Sequence, residues 1–215
     1  MSTVLADAIA RDLLALRAVV LRPNDPFTWA SGRLSPVYTD NRLTLGDPAV
    51  RGRLIDGFRQ LASAFEVSMI AGTATAGIPH ATLLADRLEL PLVYVRSAPK
   101  GHGRKNLIEG ASVSGHRVLV VEDLVSTGGS VLAAAEALRA NGATPVAALA
   151  VFSYGLAAAT EAFQEGMLPL RTLTSLEALL RVAEEDRTLD ADSLAQLHAW
   201  RRDPAAWSQE RGGAG

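Results

Sequence analysis

With 215 residues, 48% of them apolar, the chain is long enough for one well-cored globular unit and too apolar to remain disordered. A formal net charge of −2, from 21 Lys and Arg against 23 Asp and Glu, provides no general attraction to nucleic acid or anionic membrane, so any cationic site must be local. There is no cysteine, which excludes disulfides, thiolate zinc sites and cysteine nucleophiles.

Leu5, Ile9, Leu13, Leu16 and Val20 recur at helical spacing and predict an amphipathic helix over 4–20. Residues 25–40 hold two short β-like pieces broken by Ser31-Gly32 and Ser35-Pro36, the pattern of a small irregular hairpin. Asp47-Pro48 starts a helix expected to run to about residue 65. A repeated strand-loop-helix pattern follows, with strands predicted at 67–71, 91–96, 118–121, 145–153 and, more weakly, 169–173. One or two helices and a frayed tail at 208–215 complete the chain. Alternation of this kind implies an α/β fold, a mainly parallel sheet flanked by helices. No linker or internal repeat is visible, so one domain over 1–215 is expected, with 1–45 forming an N-terminal helix and cap. The N-terminus lacks a signal pattern and no apolar run reaches membrane-spanning length, so a cytoplasmic protein with no membrane or nucleic-acid partner is expected.

The richest stretch is 117–130. The buried run 118–121 delivers two adjacent carboxylates, Glu122 and Asp123, then Leu124 and Val125, then a small-residue loop of Ser126, Thr127, Gly128, Gly129 and Ser130 that leads into a helix. Backbone amides at a helix start, with glycines permitting close approach, suit a phosphate, and carboxylates at a strand end suit vicinal hydroxyls. A ribose 5-phosphate answers both. A second small-residue loop, Gly72-Thr73-Ala74-Thr75-Ala76-Gly77, follows the first predicted parallel strand and can turn its amides toward an anion. The long segment 97–114 is glycine-rich and basic. With Arg96, Lys100, His102, Arg104 and Lys105 it reads as a lid over a polyanion, expected to order when ligand binds.

The 117–130 segment resembles the phosphoribosyl-pyrophosphate (PRPP) motif of type I phosphoribosyltransferases. Phe27-Thr28 through Ser31-Gly32 to Ser35-Pro36, together with Arg96, Lys100, His102 and Gly103, is similar to the orotate phosphoribosyltransferases of that family; the likeness runs from about 10 to 156. The resemblance implies transfer of a phosphoribosyl group from PRPP to orotate in de novo pyrimidine biosynthesis, with Mg2+ as cofactor and PRPP and orotate as substrates. It implies Lys100, His102 and Asp123 as catalytic residues. PRPP would be held by Arg96, Lys100, His102, Glu122, Asp123, 124–130, Thr73 and Ala74, with a cis peptide near the second loop. Orotate would lie against Ser126, Ser31 and Arg33 under an N-terminal hood. No direct protein ligand to the metal is expected, Asp123 reaching it at most through water. A homodimer whose lids cross between subunits is likewise implied. The chain departs from the family at Ala30, Ala76 and Ser97, where many members carry lysine, and at 152–155, where some carry arginine. Two other readings stay open: a phosphoribosyltransferase for another base, and a non-catalytic PRPP-sensing regulator.

Overall fold

The computed structural model describes residues 2–29, 31–98 and 107–215. Helix α1 (Thr3–Ala15) is capped by Ser2, whose hydroxyl accepts from the Leu5 N–H. It ends short of the predicted residue 20, because Arg17 adopts a positive φ of 56° and the chain turns into strand β1 (Val19–Leu21). The predicted hairpin is split. Strands β2 (Phe27–Thr28) and β3 (Leu34–Ser35) pair with each other, while β4 (Val37–Thr39) pairs back with β1. Pro36, between β3 and β4, cannot donate to a ladder, and this is where the chain passes from one small sheet to the other. A 3-10 helix (Asn41–Gly46) leads to α2 (Pro48–Ala62), whose Asp47 cap accepts from Ala49 and Val50 as the Asp-Pro pair predicts.

The main sheet has six strands in the order β10-β9-β8-β5-β6-β7. They are β5 (Met69–Thr73), β6 (Leu92–Val95), β7 (Ile108–Gly110), β8 (Arg117–Val125), β9 (Thr144–Ser153) and β10 (Leu170–Ser175). All neighbours are parallel except β6 and β7. Helices α3 (Gly77–Leu88), α4 (Gly129–Ala140) and α5 (Ala157–Glu165) connect strands, and α6 (Leu176–Glu185), α7 (Ala191–Arg202) and α8 (Pro204–Gln209) complete the fold. Side chains alternate across each strand. Leu119, Val121, Leu149 and Val151 therefore enter one core with α1, α2, α3, α6 and α7. Val118, Val120, Ala148 and Ala150 enter a second core with α4 and α5. Covering both faces explains the unbroken apolar runs of the central strands.

Three expectations need correction. The segment 97–114 contains β7, missed because three residues carry too little pattern. Strand β8 extends four residues past 121, because Leu124 and Val125 keep pairing with Phe152 and Ser153 of β9. The terminal helices number three, and 208–215, though largely exposed, is tied down at two points: Ser208 is fully buried and the Ala214 N–H donates to the Gly32 carbonyl at 3.0 Å. Residues 99–106 of the predicted lid, including Lys100, His102, Arg104 and Lys105, lie outside the described residues, as does Ala30. Among the described residues no helix is long and apolar enough to cross a membrane.

Leu119 is fully buried at the centre of β8. Leu119→Ala should lower the free energy of unfolding by about 2–5 kcal/mol through lost burial and a residual cavity, read from the shift of a urea unfolding midpoint at constant slope.

Candidate active site

The sheet order itself marks the site. From β5 the chain crosses to β6 on one side, then returns to place β8 on the other, so the topology reverses between β5 and β8. In open α/β sheets a crevice forms outside the carboxyl ends of the strands at such a point. The carboxyl end of β5 continues into Ala74-Thr75-Ala76 and α3, and that of β8 carries Glu122 and Asp123 and leads through Ser126–Gly128 into α4.

These two helix starts differ from most others. Helices α1, α2, α6, α7 and α8 each have a Ser or Asp side chain accepting from their first-turn amides. Ala76 and Gly128, the residues before α3 and α4, supply no such bond. At α4 the first-turn N–H groups are left for an acceptor from outside the helix, whereas at α3 only that of Gly77 can be, because the Ile78 N–H donates to the Thr75 carbonyl at 3.3 Å and Pro79 has no N–H. The positive end of each helix dipole favours an anion there. Gly128 must be glycine: its φ is +88°, and a Cβ would come within 2.6 Å of the Phe163 ring. At Gly77 a Cβ would meet the Thr73 hydroxyl and the Val121 carbonyl, both at 2.5 Å, so α3 starts hard against β8 only because that residue is glycine. The Ala74–Thr75 peptide is cis, as the resemblance implied.

Glu122 is 7% exposed, and its Oε1 accepts from the Asp123 N–H at 3.0 Å. Thr73 lies beside it, donating its own hydroxyl to the Val121 carbonyl at 3.1 Å. Burial, reinforced by the neighbouring Asp123 carboxylate, pushes the Glu122 carboxyl up to about 8. Asp123 is half-buried. Its main-chain carbonyl accepts from Asn41 Nδ2 at 2.7 Å, which pins the acidic strand end to the 3-10 helix. Asn41 is fully buried and was not singled out from sequence; an Asp-Asn pair at the entrance to a helix reads as an ordinary cap. Tyr154 joins the same side, donating to Thr39 Oγ1 at 3.1 Å and standing edge-on to Phe152 and Trp200. His80 of α3 is fully buried, neither ring nitrogen has a hydrogen-bond partner among the described residues, and burial pulls its basicity down. It packs against the edge of Phe58.

The described sequence-predicted residues fall into four groups. Thr73, Glu122, Asp123 and the loop 126–130 converge at the switch point, with Thr127, Gly129 and Ser130 exposed and Ser126 partly so. Arg96 joins Ala74, Thr75, Ile78, Tyr94, Ser97 and Ala98 around a cavity of about 300 Å3. Its guanidinium is 3.4 Å from Glu109 Oε1 on β7. Leu124 and Val125 belong to the strand; Val125 packs in the core, and its carbonyl accepts from the Tyr154 N–H. Ser31 and Arg33 sit in the β2–β3 turn, and the hydrogen bond from the N-terminal segment to the acidic pair comes from Asn41. Among the described residues no three His, Asp or Glu side chains form a metal cluster.

The Phosphoribosyl transferase domain model matches residues 50–162, slightly more than half the chain, which spans both small-residue loops and the acidic pair. Over 203 residues the chain is 52% identical to the orotate phosphoribosyltransferase of Bacillus subtilis, covering 94% of each protein. The crystal structure of orotate phosphoribosyltransferase from Aeropyrum pernix superposes with a TM-score of 0.72 at 34% identity, over 85% of this chain and 99% of that one. That of the Mycobacterium tuberculosis H37Rv enzyme in complex with PRPP gives 0.64 at 28% identity, over 81% and 98%. The chain belongs to the orotate phosphoribosyltransferase family.

Unfolded, the Glu122 carboxyl titrates near 4.5. The folded chain holds a proton that the unfolded chain releases above that value, so this group's effect on stability becomes steadily less favourable as pH rises toward about 8. In ligand-free protein the thermal midpoint of the wild type should therefore fall relative to Glu122→Gln between pH 5 and pH 8. Parallel curves across that interval would mean that Glu122 is already ionised.

Proposed function

We propose that this chain catalyses transfer of the 5-phosphoribosyl group of PRPP to N1 of orotate, giving orotidine 5′-monophosphate and pyrophosphate. The observation that carries the reading is the acidic pair, Glu122 buried and Asp123 half-buried, set between two helix starts without side-chain caps at the sheet's switch point. The α4 start would take the 5-phosphate on its amides and the hydroxyls of Thr127 and Ser130. Asp123 and Glu122 would accept from the ribose hydroxyls and fix the sugar. The 73–76 loop and Arg96 would hold the pyrophosphate, with main-chain amides serving where Ala76 replaces the lysine of many relatives.

Orotate N1 is acidic, so the reaction needs no strong base. The barrier lies in positive charge at C1 and negative charge on the leaving group. Arg96, Lys100 and His102 would stabilise the departing pyrophosphate electrostatically. Arg33 is the candidate for the orotate carboxylate: its Nε is buried with no partner among the described residues. Backbone amides of the hood and Ser126 would complete the base site.

The donor set suits Mg2+ brought by the substrate. It offers hard carboxylate oxygens without a dedicated protein cage, and magnesium characteristically binds through substrate phosphates plus one or two carboxylates. Asp123 would reach it through water, and when bound the ion would neutralise pyrophosphate charge.

Loss of orotate absorbance in the presence of PRPP and Mg2+ tests the activity. Asp123→Asn should lower kcat/KM about a hundredfold with an unchanged melting midpoint, since it deletes a charged acceptor at nearly constant shape. PRPP binding without turnover of orotate would favour the sensing regulator, and turnover of a different base would favour another transferase.

The resemblance also supports a homodimer in which the lid of each subunit serves its partner's pocket. Exchanging subunits between Lys100→Ala and Asp123→Asn gives hybrids with one doubly defective site and one intact site. With random mixing, half the dimers being hybrids, activity should return to roughly a quarter of the wild-type value. Verified hybrids that stay inactive would place each lid over its own pocket.

A further inference from the structure

The C-terminal segment meets the hood turn in a way that neither the fold nor the reaction requires. A hairpin of two two-residue strands cannot hold its shape alone in water. Here β2 and β3 close on each other through the Trp29 N–H bonded to the Arg33 carbonyl at 2.9 Å, and the Gly32 N–H bonded to the Trp29 carbonyl at 2.8 Å. In an antiparallel ladder alternate residues direct their main-chain groups outward. The outward groups of this edge are the Gly32 carbonyl and the Leu34 N–H, and both are taken by the C-terminal segment. Ala214 N–H donates to Gly32 at 3.0 Å, and Ser208 Oγ accepts from Leu34 N–H at 2.9 Å.

Ser208 works in both directions, since its hydroxyl also donates to the Ala214 carbonyl at 2.5 Å. It is fully buried at the end of α8, beside Trp207, which is 2% exposed and carries the Arg211 guanidinium over its ring at 4.0 Å. A Cβ on Gly213 would come within 2.7 Å of the Leu34 side chain and 2.5 Å of Ser208 Oγ, so the segment lies flush on β3. Between the two fixed groups lies Arg33, and Ser31, whose Oγ accepts from the Arg33 N–H at 3.4 Å, precedes the turn's Gly32.

We propose that residues 207–214 are a positioning clamp for the base-recognition turn, and that Ser208 sets orotate affinity through the backbone of Gly32–Leu34 without touching the substrate. This rests on the reading above that the hood receives orotate. The clamp's bonds go to Gly32 and Leu34, so it acts on the base and not on PRPP, which in the reading above binds at the switch point.

Two variants test it, Ser208→Ala and deletion of residues 213–215, each measured for both substrates and for amide hydrogen exchange at Leu34. The KM for orotate should rise about fivefold to tenfold in each, the scale of one lost main-chain anchor. The KM for PRPP and kcat should stay within about twofold, while exchange at Leu34 accelerates about tenfold or more. An unchanged orotate KM despite faster Leu34 exchange would overturn the clamp while leaving the orotate reading intact. A parallel rise in both KM values with a fall in kcat would overturn it too, reducing the segment to general structural support. Wild-type turnover of orotate in the same assay judges the substrate independently.

Discussion

Two adjacent carboxylates at the carboxyl end of a central strand impose the constraint around which this molecule is arranged. Glu122 is almost fully buried and Asp123 half so, in a sheet covered by helices on both faces. An ionised carboxylate in that position costs several kcal/mol unless it is paired or hydrogen-bonded. The resting protein answers by keeping Glu122 protonated well above the usual carboxylate range and by giving its oxygen the Asp123 N–H. Such an arrangement is poised for a ligand that brings hydroxyl donors and a cation of its own.

The glycines and the missing helix caps follow from the same constraint. Gly77 lets α3 begin against the β8 backbone, and Gly128 lets the chain turn over Phe163 into α4. Ser or Asp in place of Gly128 would occupy the first-turn amides of α4 that the glycine leaves open. Local helix stability is given up where an anion can supply it. Ala74, Thr75 and Arg96 line one cavity, so main-chain groups and a guanidinium share its wall.

Support for the acidic strand end comes from distant parts of the chain. Asn41 reaches across from the 3-10 helix to the Asp123 carbonyl, and Thr39 receives Tyr154, which stacks edge-on between Phe152 and Trp200 of α7. Salt bridges from α1 to α6, Arg11 with Asp186 and Arg181 with Asp7, hold the N-terminal helix against the C-terminal half. The N-terminal segment that resembles a hood is thus anchored at both ends of its path, by Asn41 below and by Ser208 and Ala214 above.

The sequence by itself determined the mainly parallel sheet, the positions of its main strands along the chain, the acidic pair and the two small-residue loops. Each of these is a local pattern: an apolar run long enough to be a buried strand, a charge where burial is costly, a glycine where a Cβ cannot fit. Tertiary structure alone decided where short or polar segments went. Three-residue β7 becomes a strand only because β6 offers it an edge, and β8 runs on through Asp123 to Val125 because β9 continues to pair with it. Asn41, which no sequence pattern marked, is a strut to a carbonyl 82 positions away. Ser208 and Ala214 looked like the start and end of a loose tail, yet they complete the hairpin at Gly32 and Leu34. Periodicity reports which face of an element is buried, but a single hydrogen bond between remote main-chain and side-chain groups leaves no periodic trace, and only the folded chain brings its two halves together.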